Sequence, residues 1–141
     1  MTSWTAIRHG LLAGVMPLAA VSAAPQGTGT TQAAPLDAAR AAASAQLQRE
    51  LELQVETMRV IEPWAFVSAQ LRTPQGQPFD YAGTRWAEAA QHGAVSRRYV
   101  VLLKRAGGTW TPVEDRVGPT DVAWSDWSAR HGAPAALFEM P

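Results

Sequence analysis

The segment RRYVVLLKRAGGTWTPVEDRV, residues 97–117, constrains the fold of this chain more than any other. Two runs rich in β-branched and aromatic residues flank Gly107-Gly108, a pair suited to the positive φ angles of a tight hairpin. Pro112 lies in the second run and has no amide hydrogen to donate, so that strand should lie at a sheet edge or carry a bulge. The segment therefore predicts an antiparallel hairpin.

A second hairpin is predicted upstream. In LELQVETMRV, residues 51–60, apolar and polar residues alternate, which is typical of a half-buried strand. The alternative is a preceding helix that continues to Met58, because apolar residues in this region also fit a helical stripe. We favour the strand, with a turn at Glu62-Pro63 and a returning strand at residues 64–72.

Three segments have the composition of helices, namely LDAARAAASAQLQ, TRWAEAAQHG and DVAWSDWSARH. The first, starting at Leu36, is rich in alanine, the residue with the highest helix propensity. Thr84 and Thr120 stand where N-caps of the second and third helices would lie, and glycines follow both segments. The third helix is predicted to extend from Asp121 to His131. Helices beside a sheet built from two hairpins define an α+β fold.

The first residues predict export. Residues 1–23 combine a basic start, an apolar run and small residues, as secretory signal peptides do, with cleavage after Ala23. A membrane anchor is the alternative, but the run is shorter than the roughly 20 apolar residues that span a bilayer. Residues 24–35 are predicted to be a flexible linker and residues 36–141 a single α+β domain. The mature protein would then be secreted or periplasmic.

Composition excludes several functional classes. The chain has 12 basic and 12 acidic residues, so no charge excess favours nucleic acid or an anionic membrane, and we expect no stable membrane insertion. It has no cysteine, hence neither a disulfide nor a thiol nucleophile. A G-x-S-x-G elbow and a phosphate loop are also missing. We therefore name no catalytic residue, metal site or cofactor.

Three short motifs, WAFV, GGTW and GPTDVAWSDWSARHGAPAALF, resemble a group of small secreted bacterial proteins of unassigned activity. A leading helix followed by long hairpins is also similar to the cystatin-like α+β roll, a fold that binding proteins, inhibitors and some enzymes share. The resemblance covers residues 36–141. It implies the fold, with the N-terminal helix packed on the sheet, and transfers no catalytic residue.

Two aromatic groups are candidates for a ligand site. On one helix, Trp124, Trp127 and His131 would share a face, which is either a ligand platform or a packed seam. We favour the seam, because burying one indole gains roughly 4–6 kcal/mol before opposing terms. The second group, Phe79, Tyr81 and Trp86, lies in a loop. Such residues either anchor a ligand or cover the open end of the sheet.

Charged residues offer weaker candidates. A helix would place Asp121 and Asp126 about 140° apart, too divergent for shared acid–base chemistry. His92 and His131 each precede a glycine, where a partial positive charge suits a helix C-terminus.

Three functions remain open. We favour a noncatalytic binding domain for a protein, peptide or small ligand of the cell envelope. The alternatives are a small enzyme that pairs His92 or His131 with a carboxylate in the sheet cavity, and a structural component of the envelope. A dry apolar pocket would indicate binding, whereas a histidine facing a carboxylate within the pocket would indicate catalysis.

Overall fold

A computed structural model describes residues 28–139, so the predicted leader and residues 24–27 lie outside the described part of the chain. The elements, in chain order, are α1 (Thr28–Leu47), β1 (Glu52–Ile61), β2 (Trp64–Arg72), α2 (Ala87–Gln91), β3 (Arg98–Ala106), β4 (Thr109–Val117), α3 (Trp127–His131) and a 3-10 helix (Ala135–Phe138). The strands form one antiparallel sheet in the order β1-β2-β3-β4. The predicted α+β class and both predicted hairpins are confirmed.

The β3–β4 hairpin has the predicted turn. Gly107 and Gly108 adopt φ angles of 60° and 82°, where a side chain would be strained. β4 is an edge strand, and its pairing with β3 shifts beside Pro112, so that Val113 is an extra, bulged residue. The missing amide of the proline is therefore accommodated at both an edge and a bulge.

One face of the sheet packs against α1. The side chains of Ala39, Ala43 and Leu47 repeat every four residues and are buried in the same cluster as the apolar residues of this face. Small alanines let the helix approach the sheet closely. On the sheet side, the same cluster contains Val67 and Val101 of the central strands and further apolar side chains of the outer strands.

Helix α1 begins eight residues before the predicted start at Leu36, so it includes residues 28–35 of the predicted linker. Residues 24–35 were predicted to be a linker because they are small, polar and aperiodic, and Gly29 and Pro35 also disfavour a helix interior. Pro35 is fully buried, and this burial offsets part of that cost.

The opposite face is covered by the C-terminal segment, residues 119–139. Its buried cluster joins Phe66 and Leu102 of the sheet to Trp124, Trp127 and Leu137. The rings of Phe66 and Trp127 meet edge-on, with centroids 6.3 Å apart. The sheet is thus covered on both faces, by α1 and by the C-terminal segment.

The predicted helix from Asp121 to His131 is wrong in extent, because α3 begins only at Trp127. Residues 121–126 instead form successive tight turns, with the Ser125 amide donating to the Val122 carbonyl at 3.1 Å. Valine, serine and aspartate are weak helix formers, and the latter two favour turns. Gly132 ends α3 in the left-handed region, as predicted.

Among residues 28–139, no helix is both long enough and apolar enough to cross a bilayer.

Candidate binding clefts

Phe79 and Tyr81, two of the loop residues for which both a ligand-anchoring and a sheet-covering role were open, are buried in the core beneath α1. They are 1% and 4% exposed, and their rings meet edge-on at 5.4 Å. The Tyr81 hydroxyl donates to the Ser96 carbonyl at 2.5 Å, and Arg97 Nε donates to the Phe79 carbonyl at 2.7 Å. Burial raises the pKa of Tyr81 to about 12. Of the two roles considered for these rings, the structure matches the one in which they cover the end of the sheet.

Trp86, the third loop residue, differs because it is half-buried and borders a cleft. The Arg85 guanidinium lies over its ring, 4.3 Å from the centroid. Helix α2 starts at Ala87, and Thr84 does not cap it. Its hydroxyl instead donates to the Tyr81 carbonyl at 2.7 Å, which shapes the turn that precedes Trp86.

The Arg85 cleft is the space between residues 45–49, at the end of α1, and residues 83–86 of the loop. It has a volume of about 440 Å³. Arg49 fixes one wall, since its guanidinium donates to the carbonyls of Asp80 and Ala82 at 2.8 and 2.7 Å. A polar cleft therefore lies between the end of α1 and a loop that Arg49 holds through two backbone carbonyls.

A hydrogen-bonded chain connects Arg85 to the core. Arg85 Nη2 donates to Gln46 Oε1 at 2.8 Å, and Gln46 Nε2 donates to Asp115 Oδ1 at 3.0 Å. The Tyr99 hydroxyl donates to the other Asp115 oxygen at 2.6 Å. Burial, followed by the hydrogen bond and the negative charge of Asp115, raises the pKa of Tyr99. This chain ties α1 to β3 and β4, and the sequence patterns contained no sign of it.

The Trp124 cleft lies on the opposite face, between the sheet and the C-terminal segment. It is lined by Gln70, Ser96 and Arg98 from the sheet side and by residues 119–122 and Trp124 from the other. Its volume is about 640 Å³. Gln70 and Arg98 are cross-strand partners, so the sheet register brings together two residues 28 positions apart in the chain.

Glu56, the extra residue of a bulge in β1, orients these two side chains. Its carboxylate accepts hydrogen bonds from Gln70 Nε2 at 2.7 Å and from Arg98 Nε at 3.1 Å. The opposite wall carries Val122, which is 56% exposed. The cleft thus places apolar carbon opposite preoriented hydrogen-bonding groups. Of its lining residues, the sequence predicted Trp124 as a site candidate and considered Asp121 only as half of a rejected carboxylate pair.

Trp124 and Trp127 are buried, at 5% and 0% exposure, and both pack against Phe66 of the sheet. Their burial matches the packed role, but they do not share a helix face with His131 as the seam required. Trp124 also borders the Trp124 cleft. Among the described residues, the buried Trp127 Nε1 and Ser68 Oγ have no hydrogen-bond partner. Leaving such groups unpaired lowers the stability of the folded state. The stabilisation from apolar packing in this cluster must be larger than that cost.

His131 lies away from the Trp124 cleft, where α3 meets β4. Its Nε2 is 2.6 Å from Glu114 Oε1, and Arg130 Nη2 is 2.7 Å from the same oxygen. Arg130 also bonds Asp126 at 2.9 Å. Partial burial raises the pKa of Glu114, but hydrogen bonds from Arg130 and His131 outweigh it and lower the pKa overall. The carboxylate is thus held ionised by two neighbours.

The other charged candidates do not converge. His92 and Asp121 are exposed and Asp121 does not lie in a helix, although Asp121 does line the Trp124 cleft. Within residues 28–139, no three His, Asp or Glu side chains are grouped as metal ligands.

No family model matches the chain, and no curated protein sequence matches it. Among solved structures, the chain is similar to a de novo designed β-sheet protein determined by solution NMR. The two are 17% identical, the alignment covers 67% of this chain and 91% of the designed one, and the TM-score is 0.41. This likeness carries no information about function.

Proposed function

We propose that this protein is a noncatalytic binding domain whose ligand occupies the Trp124 cleft. The observation that carries the proposal is the juxtaposition of exposed apolar carbon from Val122 with the oriented Gln70 and Arg98 side chains. Ligand sites combine an apolar surface with a few positioned polar groups, and their volumes run from roughly 300 to 1,000 Å³. The cleft, at about 640 Å³, lies within that range.

A short peptide segment or a small molecule with amide groups fits these features. Gln70 can accept as well as donate hydrogen bonds, and the Arg98 charge is largely balanced by Glu56, 3.0 Å away. The exposed Asp121 carboxylate also lines the cleft, so the site disfavours anionic ligands. Because Glu56 already holds both side chains in place, binding requires little further ordering, which improves affinity.

A small enzyme is the second candidate, and the His131–Glu114 contact favours it. Proton transfer by His131 would need an open position beside the ring for a substrate. Beside the His131 ring, Glu114 and Arg130 instead form a network of charged hydrogen bonds. The His131–Glu114 pair also lies outside the Trp124 cleft. We therefore assign this pair a structural role, in which it holds α3 on β4.

We further propose that residues 1–23 direct export and that the mature domain works in the periplasm or outside the cell, where it binds a partner of the envelope. A cystatin-like roll, with α1 lying on the sheet, is the fold that we propose for it. A structural envelope component would have the same location. N-terminal sequencing of protein from the periplasmic fraction tests export, since a mature start at Ala24 is expected and an intact Met1 would contradict it.

Binding is tested by recording amide NMR spectra of the purified protein during titration with a mixture of short uncharged peptides. Saturable shifts are expected in residues 96–98 and 120–124. Arg98→Ala and Val122→Ser should reduce them, whereas Val113→Ser is a matched control, because Val113 is a 37% exposed valine outside the cleft. Saturable shifts confined to other regions, or no shifts at all, would disprove the assigned site.

A further inference from the structure

We propose that the Arg85 cleft is a second, separate binding site, which takes a small oxyanion such as phosphate or a carboxylate. The inference stands on the guanidinium groups of Arg49 and Arg85, which border one cleft and are both held by neutral partners. It does not depend on the ligand of the Trp124 cleft.

Neutral partners orient a cation without cancelling its charge. Arg49 is bonded to two backbone carbonyls, and Arg85 is bonded to the Gln46 amide oxygen and stacked on Trp86. Within the described part of the chain, no carboxylate lies within 4.0 Å of either guanidinium. Some other arginines, such as Arg98 and Arg130, have carboxylate partners. Arg72 and Arg97 are also held by neutral groups, but neither lines this cleft.

Both guanidinium groups have spare donors. A guanidinium carries five N–H groups, of which Arg49 uses two and Arg85 one in these contacts. The planar fork matches the paired oxygens of phosphate and carboxylate, and charge-assisted bonds of this kind are about twice as strong as neutral ones. Stacking on Trp86 restricts the Arg85 side chain before binding, so less entropy is lost when an anion arrives.

Two nearby carboxylates form no ion pair with either guanidinium, so they reduce the positive potential of the cleft but leave the spare donors free. The Asp80 carboxylate accepts the Ala82 amide at 2.9 Å, and Asp115 accepts from Tyr99 and Gln46. The C-terminal end of α1 adds a negative partial charge of about half an elementary charge. This is smaller than the two positive charges of the guanidinium groups. Glycine at position 83 leaves room for the Arg49 guanidinium, since a Cβ there would lie 3.2 Å from Arg49 Nη2.

The test is an NMR titration of the purified protein with sodium phosphate, at ionic strength held constant with chloride. The indole N–H of Trp86 should shift saturably. Arg85→Gln should weaken phosphate binding roughly tenfold, the effect expected for losing one charge-assisted contact. Arg105→Gln is the matched control, because Arg105 also lies over an indole, that of Trp110, yet has Glu62 as a carboxylate partner.

A second titration replaces phosphate with acetate. Tighter binding of phosphate or of acetate shows whether the cleft prefers a phosphate or a carboxylate group. Arg49→Gln tests the other wall, with melting temperature recorded to confirm that the fold persists. The proposal is overturned if Trp86 shows no saturable shift with either anion, or if Arg85→Gln binds as tightly as wild type. It is also overturned if Arg105→Gln weakens binding as much as Arg85→Gln does. If the peptide titration shows no shifts in the Trp124 cleft, the proposed function fails, but the anion site in the Arg85 cleft is still tested independently by the Trp86 shift.

Discussion

Replacing Trp127 with alanine should destabilise the protein by about 3 kcal/mol. Burial of an indole removes roughly 150–250 Å² from water, worth about 4–6 kcal/mol at ~25 cal/mol per Å². Trp127 is 0% exposed, so this gain applies in full. Its Nε1–H lacks a partner among residues 28–139, which costs about 1–3 kcal/mol in the folded state and lowers the net gain. The loss is large beside a typical domain stability of about 5–15 kcal/mol.

The assay is urea unfolding followed by far-UV circular dichroism, with two companion variants. Trp127→Phe keeps an aromatic ring against Phe66 and removes the unpaired donor, so its loss should be less than half that of Trp127→Ala. Val122→Ala lies in the same segment but is 56% exposed, and it should change stability by no more than about 0.5 kcal/mol. A Trp127→Ala loss under about 1 kcal/mol would refute the reasoning, because it would mean that the indole is not packed.

Three further outcomes are expected. Because burial raises the pKa of Tyr81 to about 12, the contribution of this residue to stability should be constant below about pH 10, the ordinary tyrosine pKa, and should be lost as pH rises from 10 to 12. Burial raises the pKa of Tyr99 as well, so Tyr81→Phe should reduce the alkaline fall in stability without abolishing it, and an unchanged profile would contradict this reasoning. Because the lowered pKa of Glu114 favours its ionised form, stability should fall as pH drops below about 4.3, the ordinary glutamate value, and Glu114→Gln should reduce that acid dependence in urea titrations. Gly118→Ala should lower the melting temperature more than Gly132→Ala: both have positive φ, at 70° and 75°, but only at Gly118 would a Cβ meet another atom, Val95 Cβ at 2.8 Å, and equal effects would exclude the steric explanation.

The sheet could be predicted from the sequence because its signals are local. Period-two alternation from residue 51 and the Gly107-Gly108 turn specify the two hairpins without reference to distant residues. The burial of Trp124 and Trp127 was predictable on the size of their apolar surface alone. The helix assigned to them was wrong in extent, because packing on the sheet does not require both indoles to lie on one helix.

The clefts were not predictable, because each depends on contacts between distant parts of the chain. Arg98 meets Gln70 through the register of β2 and β3, and both are oriented by a bulge residue of β1. Arg85 meets Gln46 only when α1 is in place, 39 positions away. Apolar periodicity contains no information on such pairs. The loop rings of Phe79 and Tyr81 were identified as important, but the sequence left their role open.

The most direct test of the account is a nuclear Overhauser spectrum of the aromatic side chains. The central claim is that the C-terminal segment covers one face of the sheet through Trp127. We expect cross-peaks from the Trp127 indole to the rings of Phe66 and Phe138, whose centroids lie 6.3 and 6.5 Å away with edges closer. An assigned Trp127 indole that shows no cross-peak to either ring and exchanges its N–H freely with water would contradict the account.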